Sequence, residues 1–172
     1  MIMLKNCRLI PELTEGFDLA KADVIIDEEK IRKLAEPGSI ADFDGRIIDV
    51  KGATLLPGFF DLHAHLYLSE LNLAVIDNKP AVETCFDAYA FTREYLRQGY
   101  TTIRDAGSPY NLTRGMMKAR EKGIINIPDI ISSGHALTPT ENGNKEYTLL
   151  YEVADGPYEF RKAARKQLEA GS

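Results

Sequence analysis

The sequence has few cysteines, no excess of basic residues and no long apolar run, and each shortage excludes a class of protein. Its 172 residues contain two cysteines, Cys7 and Cys85, which lie far apart and outside any Cys-x-x-Cys motif. We therefore expect two reduced thiols and no cysteine metal site. Lysine and arginine number 21 against 26 acidic residues, and the resulting net charge of -5 disfavours a nucleic-acid partner.

The apolar segments are too short for a membrane protein. No run approaches the roughly 18 residues that a membrane span needs. Residues 1–13 are interrupted by Lys5, Asn6, Arg8 and Pro11, so they do not form a signal-peptide core. We expect no membrane partner and take a cytoplasmic location as the default. The hydrophobic content of 44% is that of a globular chain with a real core.

The sequence changes character near residue 54. Residues 1–53 predict short strands with tight turns, including a hairpin of 22–26 and 30–34 and a strand over 46–50. From 54 onward, apolar runs typical of buried parallel strands alternate with helices that end in glycine. These patterns predict strands in 54–60, 100–104 and 124–131, and helices over 81–98, from Ser108-Pro109 to Gly123, and from Gly156-Pro157 to Gly171. The first helix should carry Val82, Cys85, Phe86, Tyr89 and Leu96 on one face, and the third should carry Phe160, Ala163, Ala164 and Leu168 inward. A polar loop of some twenty residues should precede the third helix. The class is α/β, and 54–133 should hold three adjacent parallel strands.

Two histidines follow the first of these strands, in Asp61-Leu62-His63-Ala64-His65. Residues two apart in a strand project to the same side, about 6–7 Å apart along the backbone. Two imidazoles in this arrangement can bind one tetrahedral metal at roughly 2.0–2.1 Å each. Asp61 shares their face and could orient one ring through its second nitrogen.

The same residues also permit a plainer interpretation. A His-x-His pair commonly represents two surface or core-edge histidines that bind nothing. Here the pair follows a buried strand, after a small all-β segment, and this placement favours a metal site. Asp105 and His135 follow the second and third strands and can face the same pocket. Alternatively, Asp105 forms a structural ion pair with Arg104, and His135 is a solvated loop histidine.

Three segments resemble a known family. The run from Pro57 to His65 resembles the first-strand signature of the amidohydrolase superfamily. The run from Gly99 to Gly107 resembles the second-strand segment of its imidazolonepropionase-like and prolidase-like (Xaa-Pro dipeptidase-like) branch, and 153–157 with the following helix resembles that branch before its fourth strand. The resemblance implies an N-terminal portion only. Residues 1–53 would form part of a composite β-sandwich, and 54–172 the first three βα units of a (β/α)8 TIM-type barrel of about 250 residues.

The resemblance also implies a metal centre. His63 and His65 would bind the more buried of one or two divalent metals, with Zn²⁺ expected and Mn²⁺, Fe²⁺ or Co²⁺ as alternatives. The family completes this site with a strand-four lysine, two further histidines and a late aspartate, none of which can be located in this chain. The Gly-Gly-His-Gly loop of the branch is replaced by Asn142-Gly143-Asn144-Lys145.

These observations predict a metal-dependent amidohydrolase that cleaves an amide or cyclic-amide C–N bond with a metal-activated water. We expect dipeptidase-like or imidazolonepropionase-like activity on a small amide or dipeptide, and a homo-oligomer for the full-length protein. The 172-residue chain by itself is expected to be inactive. The alternative is a non-enzymatic truncated or half-barrel protein that only binds metal or pairs with a complementary chain.

Overall fold

The computed structural model describes residues 1–145 and 149–172, and its chain forms two compact units, 1–57 and 58–172. The first unit contains four strands: β1 (Ile2–Arg8), β2 (Lys21–Asp27), β3 (Lys30–Ala35) and β4 (Arg46–Asp49). The second contains β5 (Phe59–Ala64), α1 (Leu73–Asp77), α2 (Ala81–Arg97), β6 (Tyr100–Asp105), α3 (Leu112–Glu121), β7 (Asp129–Ser132), β8 (Ala136–Thr138), β9 (Tyr151–Val153) and α4 (Gly156–Ala170). Within the described residues, every helix is too short or too polar to span a bilayer.

The first unit is a four-stranded sheet in the order β3-β2-β1-β4, with β1 parallel to β4 and the other pairs antiparallel. The predicted hairpin is confirmed, and its turn places Glu28 at φ 52°. One face of the sheet is covered by a core that includes Cys7, Leu9, Ala22 and Val24. That this sheet is part of a composite β-sandwich remains a prediction.

The second unit contains a parallel sheet in the order β5-β6-β7, which confirms the three adjacent parallel strands. Ile103 of β6 and Ile130 of β7 face the helices and share a core with Ala88 of α2 and Met116 of α3. The predicted α/β class is therefore confirmed. The assignment of these βα elements to an eight-unit barrel remains a prediction.

Three predicted boundaries are wrong for identifiable reasons. The first parallel strand begins at Phe59 and not near 54, because Leu55 donates its backbone N–H to Arg8 at 2.9 Å in the first unit. The third strand begins at Asp129, directly after Pro128, which has no N–H for a ladder. The second predicted helix begins four residues late, since both residues preceding Leu112 have left-handed backbones (φ 62° and 51°).

The predicted inward faces of two helices also need correction. In α2 the predicted apolar face contains Val82, Cys85, Phe86, Tyr89 and Leu96, yet Phe86 is 67% exposed. The buried stripe is instead Thr84, Ala88 and Thr92. Both threonine hydroxyls donate to carbonyls of the preceding turn, so their methyl groups can pack inward. In α4, the buried residues are Ala163 and Gln167, whereas the expected Leu168 is exposed.

The segment between β7 and α4 was predicted to be a polar loop of some twenty residues. It contains a short parallel pair, β8 and β9, which the sequence did not indicate; residues 146–148 of the loop lie outside the described residues. A small apolar cluster of Tyr67, Ile76 and Leu150 joins this segment to the one that follows β5. The connections beyond the carboxyl ends of the strands therefore have a core of their own.

Candidate metal centre

The predicted site residues gather where the parallel strands end. His63 is the penultimate residue of β5, His65 follows that strand, and Asp105 is the last residue of β6. Backbone hydrogen bonds continue past the strands. The N–H of Ala106 donates to the backbone carbonyl of Ala64 at 2.7 Å, and the N–H of Ser133 donates to the backbone carbonyl of Asp105 at 3.0 Å. This edge of the sheet is therefore a rigid platform for side chains from three consecutive connections.

The imidazoles of His63 and His65 are neighbours. Their ring centroids are 5.2 Å apart and their planes meet at 76°. Two imidazoles that share one tetrahedral metal at roughly 2.0–2.1 Å per nitrogen would have centroids about 5 Å apart. His63 is exposed and His65 is half-buried, so the pair is accessible from solvent. The spacing fits the donor set of a single divalent metal.

A backbone carbonyl determines which nitrogen of His65 is available. Its Nδ1 lies 3.2 Å from the carbonyl oxygen of Gly107. Because a carbonyl oxygen can only accept, Nδ1 must carry the proton, and Nε2 of the neutral ring keeps its lone pair. Metal-binding histidines are usually oriented in this way, through an N–H bond from the second nitrogen to a carbonyl or carboxylate.

Gly107 is held in a conformation that suits glycine alone. Its φ is 156°, and an added Cβ would lie 2.6 Å from Cδ1 of Leu150 and 3.3 Å from Cβ of Ala136. These contacts leave no space for a side chain and fix the carbonyl that accepts from His65. Sequence reasoning missed this role, although the glycine stands three residues beyond the strand predicted over 100–104.

Asp61 contacts groups other than the imidazoles. Its Oδ1 accepts the backbone N–H of His63 at 3.0 Å, and its Oδ2 accepts the hydroxyl of Tyr95 at 2.8 Å. Burial, together with this bond to Asp61, raises the pKa of Tyr95 to about 12. Asp61 thus joins β5 to α2 beside His63, while the proposed bond to an imidazole nitrogen remains a prediction. No sequence signal pointed to Tyr95.

Asp105 is completely buried. Its Oδ1 accepts two hydrogen bonds, from the backbone N–H of Leu66 at 3.2 Å and the hydroxyl of Ser108 at 3.0 Å. Its Oδ2 has no hydrogen-bond partner within the described part of the chain. Burial raises the pKa of Asp105, against the lowering effects of these bonds, of Thr113 and of the nearby His65.

His135 lies in the segment that follows β7. Its backbone N–H donates to Oε1 of Gln167 at 3.1 Å, which anchors this segment to α4, and its side chain is half-buried. Within residues 1–145 and 149–172, no three His, Cys, Asp or Glu side chains are grouped so that they could bind a metal. The structure therefore brings His63 and His65 together and provides two candidate ligands.

The chain is similar to known hydrolases. No family model matches it. A curated dihydroorotase of Caldicellulosiruptor saccharolyticus is 30% identical over 103 residues, which are 60% of this chain and 21% of that protein. A 5-methylthioadenosine/S-adenosylhomocysteine deaminase of Thermococcus onnurineus is 31% identical over 151 residues, covering 74% of this chain and 34% of the deaminase.

Solved structures match nearly the whole chain. An amidohydrolase crystal structure superposes with a TM-score of 0.75 and 30% identity, covering 99% of this chain and 45% of the other. These matches confirm the resemblance to amidohydrolases, and the structure corresponds to the N-terminal part of their fold. The resemblance extends to prolidases: one complexed with N-methylphosphonate-L-proline is 27% identical, with a TM-score of 0.75 and coverage of 99% and 44%. The chain thus spans less than half the length of these relatives.

Proposed function

We propose that this chain carries part of the active site of a metal-dependent amidohydrolase, and that His63 and His65 bind the metal. The observation that carries the proposal is the neighbouring pair of imidazoles at the carboxyl end of β5, with Nδ1 of His65 bonded to a carbonyl. Only Nε2 of His65 is then left to act as a ligand. A pair of surface histidines would not require such an orienting bond.

The role of the protein is to hold and orient these ligands. We expect Zn²⁺, with Mn²⁺, Fe²⁺ or Co²⁺ as alternatives. When bound, such a metal would lower the pKa of a water ligand toward about 7 and polarise a carbonyl. His63 and His65 provide two donors, whereas a catalytic zinc site uses three protein ligands. We therefore expect the 172-residue chain to show no hydrolase turnover and to bind metal weakly.

For the substrate we favour a small amide, and in particular a dipeptide. The similarity to a prolidase structure over 99% of this chain supports this class. The dihydroorotase match covers 60% of the chain and supports a cyclic amide instead. A panel containing Xaa-Pro dipeptides, dihydroorotate and imidazolone propionate separates these two classes through their relative kcat/KM values.

A non-enzymatic half-barrel is the second candidate, and exposed apolar side chains favour it. Phe60, Leu62 and Ile131 lie on the sheet face opposite α2 and α3 and are 62%, 72% and 55% exposed. An apolar surface of this kind usually marks an interaction site. In this alternative the face pairs with a complementary chain, and size-exclusion chromatography of the chain alone and with that partner would detect the complex.

The deciding experiment assays the 172-residue chain beside a version extended by whatever reading frame follows Ser172. We expect hydrolysis only by the extended protein, and loss of activity and bound metal in His63→Asn and His65→Asn. Cys85→Ser, an exposed change on α2, is the matched control and should retain both. Normal turnover with undiminished metal in either histidine variant would show that the histidines are structural. Turnover by the 172-residue chain that disappears in His63→Asn would contradict its expected inactivity.

A further inference from the structure

Two backbone segments meet at the hydrogen bond between His65 and Gly107, and one carboxylate oxygen joins them. The residue after His65 is Leu66, whose backbone N–H donates to Oδ1 of Asp105. The residue after Gly107 is Ser108, whose hydroxyl donates to the same oxygen. Asp105 therefore accepts hydrogen bonds from the residue after His65 and from the residue after Gly107.

Burial makes this bridge rigid. Asp105 is 0% exposed, and Ser108 and Leu66 are 1% and 2% exposed, so solvent cannot replace these bonds. Ser108 also donates its backbone N–H to Gly134 at 2.9 Å, which fixes the same turn to the segment after β7. The position of the Gly107 carbonyl relative to His65 is thus set by groups that are buried and hydrogen-bonded.

We propose that Asp105 is a positioning residue for His65. By holding Leu66 and Ser108 on one oxygen, it keeps the Gly107 carbonyl opposite Nδ1 of His65, so that the neutral ring carries its proton on Nδ1 and offers Nε2 to the metal. The inference rests on the proposed metal binding by His65. The contacts that carry it join only groups of this chain, so it can be tested separately.

The requirement is for a hydrogen-bond acceptor at Oδ1 and not for a negative charge. Asn can keep an acceptor oxygen at this position and place its amide nitrogen where Oδ2 has no partner among the described residues. Ala removes the acceptor altogether. Asp105→Asn and Asp105→Ala therefore separate positioning from charge.

The matched control is Asp23, another buried aspartate, which lies in the first unit and accepts the backbone N–H groups of Asn6 and Gly38 at 2.9 Å each. Asp23→Ala also removes a buried acceptor of backbone amides, but far from the histidines in sequence and in a different compact unit. It reports what loss of stability alone does to the imidazole signals.

The experiment measures the ring nitrogen chemical shifts of His65 in the metal-free 172-residue chain. The pH is kept well above the ordinary imidazole pKa of about 6.5, so that the rings are neutral. In the parent chain, Asp105→Asn and Asp23→Ala, we expect the Nδ1–H form to dominate. In Asp105→Ala it should fall to a minority, and zinc affinity measured by titration should fall about 10- to 100-fold.

Ser108→Ala keeps the test open if Asp105→Ala does not fold, because it removes one of the two donors and should shift the tautomer ratio in the same direction by less. A parent-like tautomer ratio of His65 in Asp105→Ala would overturn the proposal. If Asp105→Ala is unfolded, a parent-like ratio in Ser108→Ala would do the same. The proposal would also fail if Asp105→Asn lost the Nδ1–H form as fully as Asp105→Ala. If the tautomer responds as expected but no variant or parent binds zinc, the positioning role stands and the metal proposal fails.

Discussion

Two buried aspartates, one in each compact unit, differ in how their oxygens are bonded. Asp23 divides its two oxygens between two backbone amides, one from β1 and one from the turn after β3. Among the described residues, Asp105 accepts hydrogen bonds from Leu66 and Ser108 on one oxygen, and its second oxygen has no hydrogen-bond partner. Both side chains are at most 1% exposed.

The difference separates two uses of a buried carboxylate. Asp23 satisfies amides that the strands of its sheet leave unpaired, so its contribution is to stability. Asp105 leaves part of its own hydrogen-bonding capacity unused, which is costly in a buried site. Under the proposal that Asp105 positions His65, the bonds to Leu66 and Ser108 offset this cost.

The largest expected effect comes from Gly107→Ala, which would change the site's framework without touching a ligand. The new Cβ would meet Leu150 and Ala136 at a φ that only glycine readily adopts. We expect a loss of about 2–5 kcal/mol in the unfolding free energy of the second unit. Denaturant titration checks this value.

Gly38→Ala provides its counterpart in the first unit. Gly38 also has a positive φ, of 76°, but no atom lies within 4 Å of an added Cβ. The loss of unfolding free energy in Gly38→Ala should therefore come only from the left-handed conformation, about 1–2 kcal/mol. Equal losses in the two variants would show that the Gly107 turn is not tightly packed.

Asp23→Ala should have the next largest effect, and it should be confined to stability. Removal of the carboxylate leaves the amides of Asn6 and Gly38 without their acceptor, which costs about 1–3 kcal/mol. Zinc binding by the histidines should be unchanged. A variant with parent-like stability but weakened zinc binding would reverse the roles assigned to the two aspartates.

Tyr95→Phe tests a third carboxylate, Asp61, which is only half-buried. The change removes the 2.8 Å bond from the Tyr95 hydroxyl while keeping the ring against Tyr100. We expect a loss of about 1 kcal/mol in unfolding free energy. Thermal unfolding monitored by circular dichroism measures it, and a loss above that of Asp23→Ala would place Asp61 among the main structural carboxylates.

These predictions depend on contacts that the sequence revealed only in part. The alternation rule and the flanking apolar run predicted that His63 and His65 would project together, and their ring centroids lie 5.2 Å apart. The face of α2 could not be predicted from hydrophobicity, because the buried Thr84 and Thr92 satisfy their hydroxyls within the helix. The bridge from Asp105 joins residues 39 positions apart, and no local pattern records such a contact.

The smallest expected effect is a pH dependence that arises from Asp105. Burial raises its pKa, so between the ordinary value of about 3.9 and the raised value the unfolded chain releases a proton that the folded chain retains. This contribution to stability is therefore present below the ordinary pKa and is lost as pH rises through the folded pKa. Asp105→Asn lacks this carboxyl group, so the contribution should be absent from that variant.

The measurement is the difference in unfolding free energy between Asp105→Asn and the parent chain across this pH range. The difference should move in favour of the variant as pH increases, and Asp23→Asn, measured in parallel, shows whether the change is specific to the second unit. A constant difference would mean that the protonation of Asp105 does not contribute to the stability of the fold.

The central claim, that His63 and His65 bind one metal together, can be tested by following the ring signals of all three histidines during a zinc titration. We predict that the signals of His63 and His65 change along one common curve with one ion per chain, that those of His135 do not, and that His63→Asn largely removes the response of His65. An undiminished response of His65 in that variant, or a response of His135 along the same curve, would contradict the account.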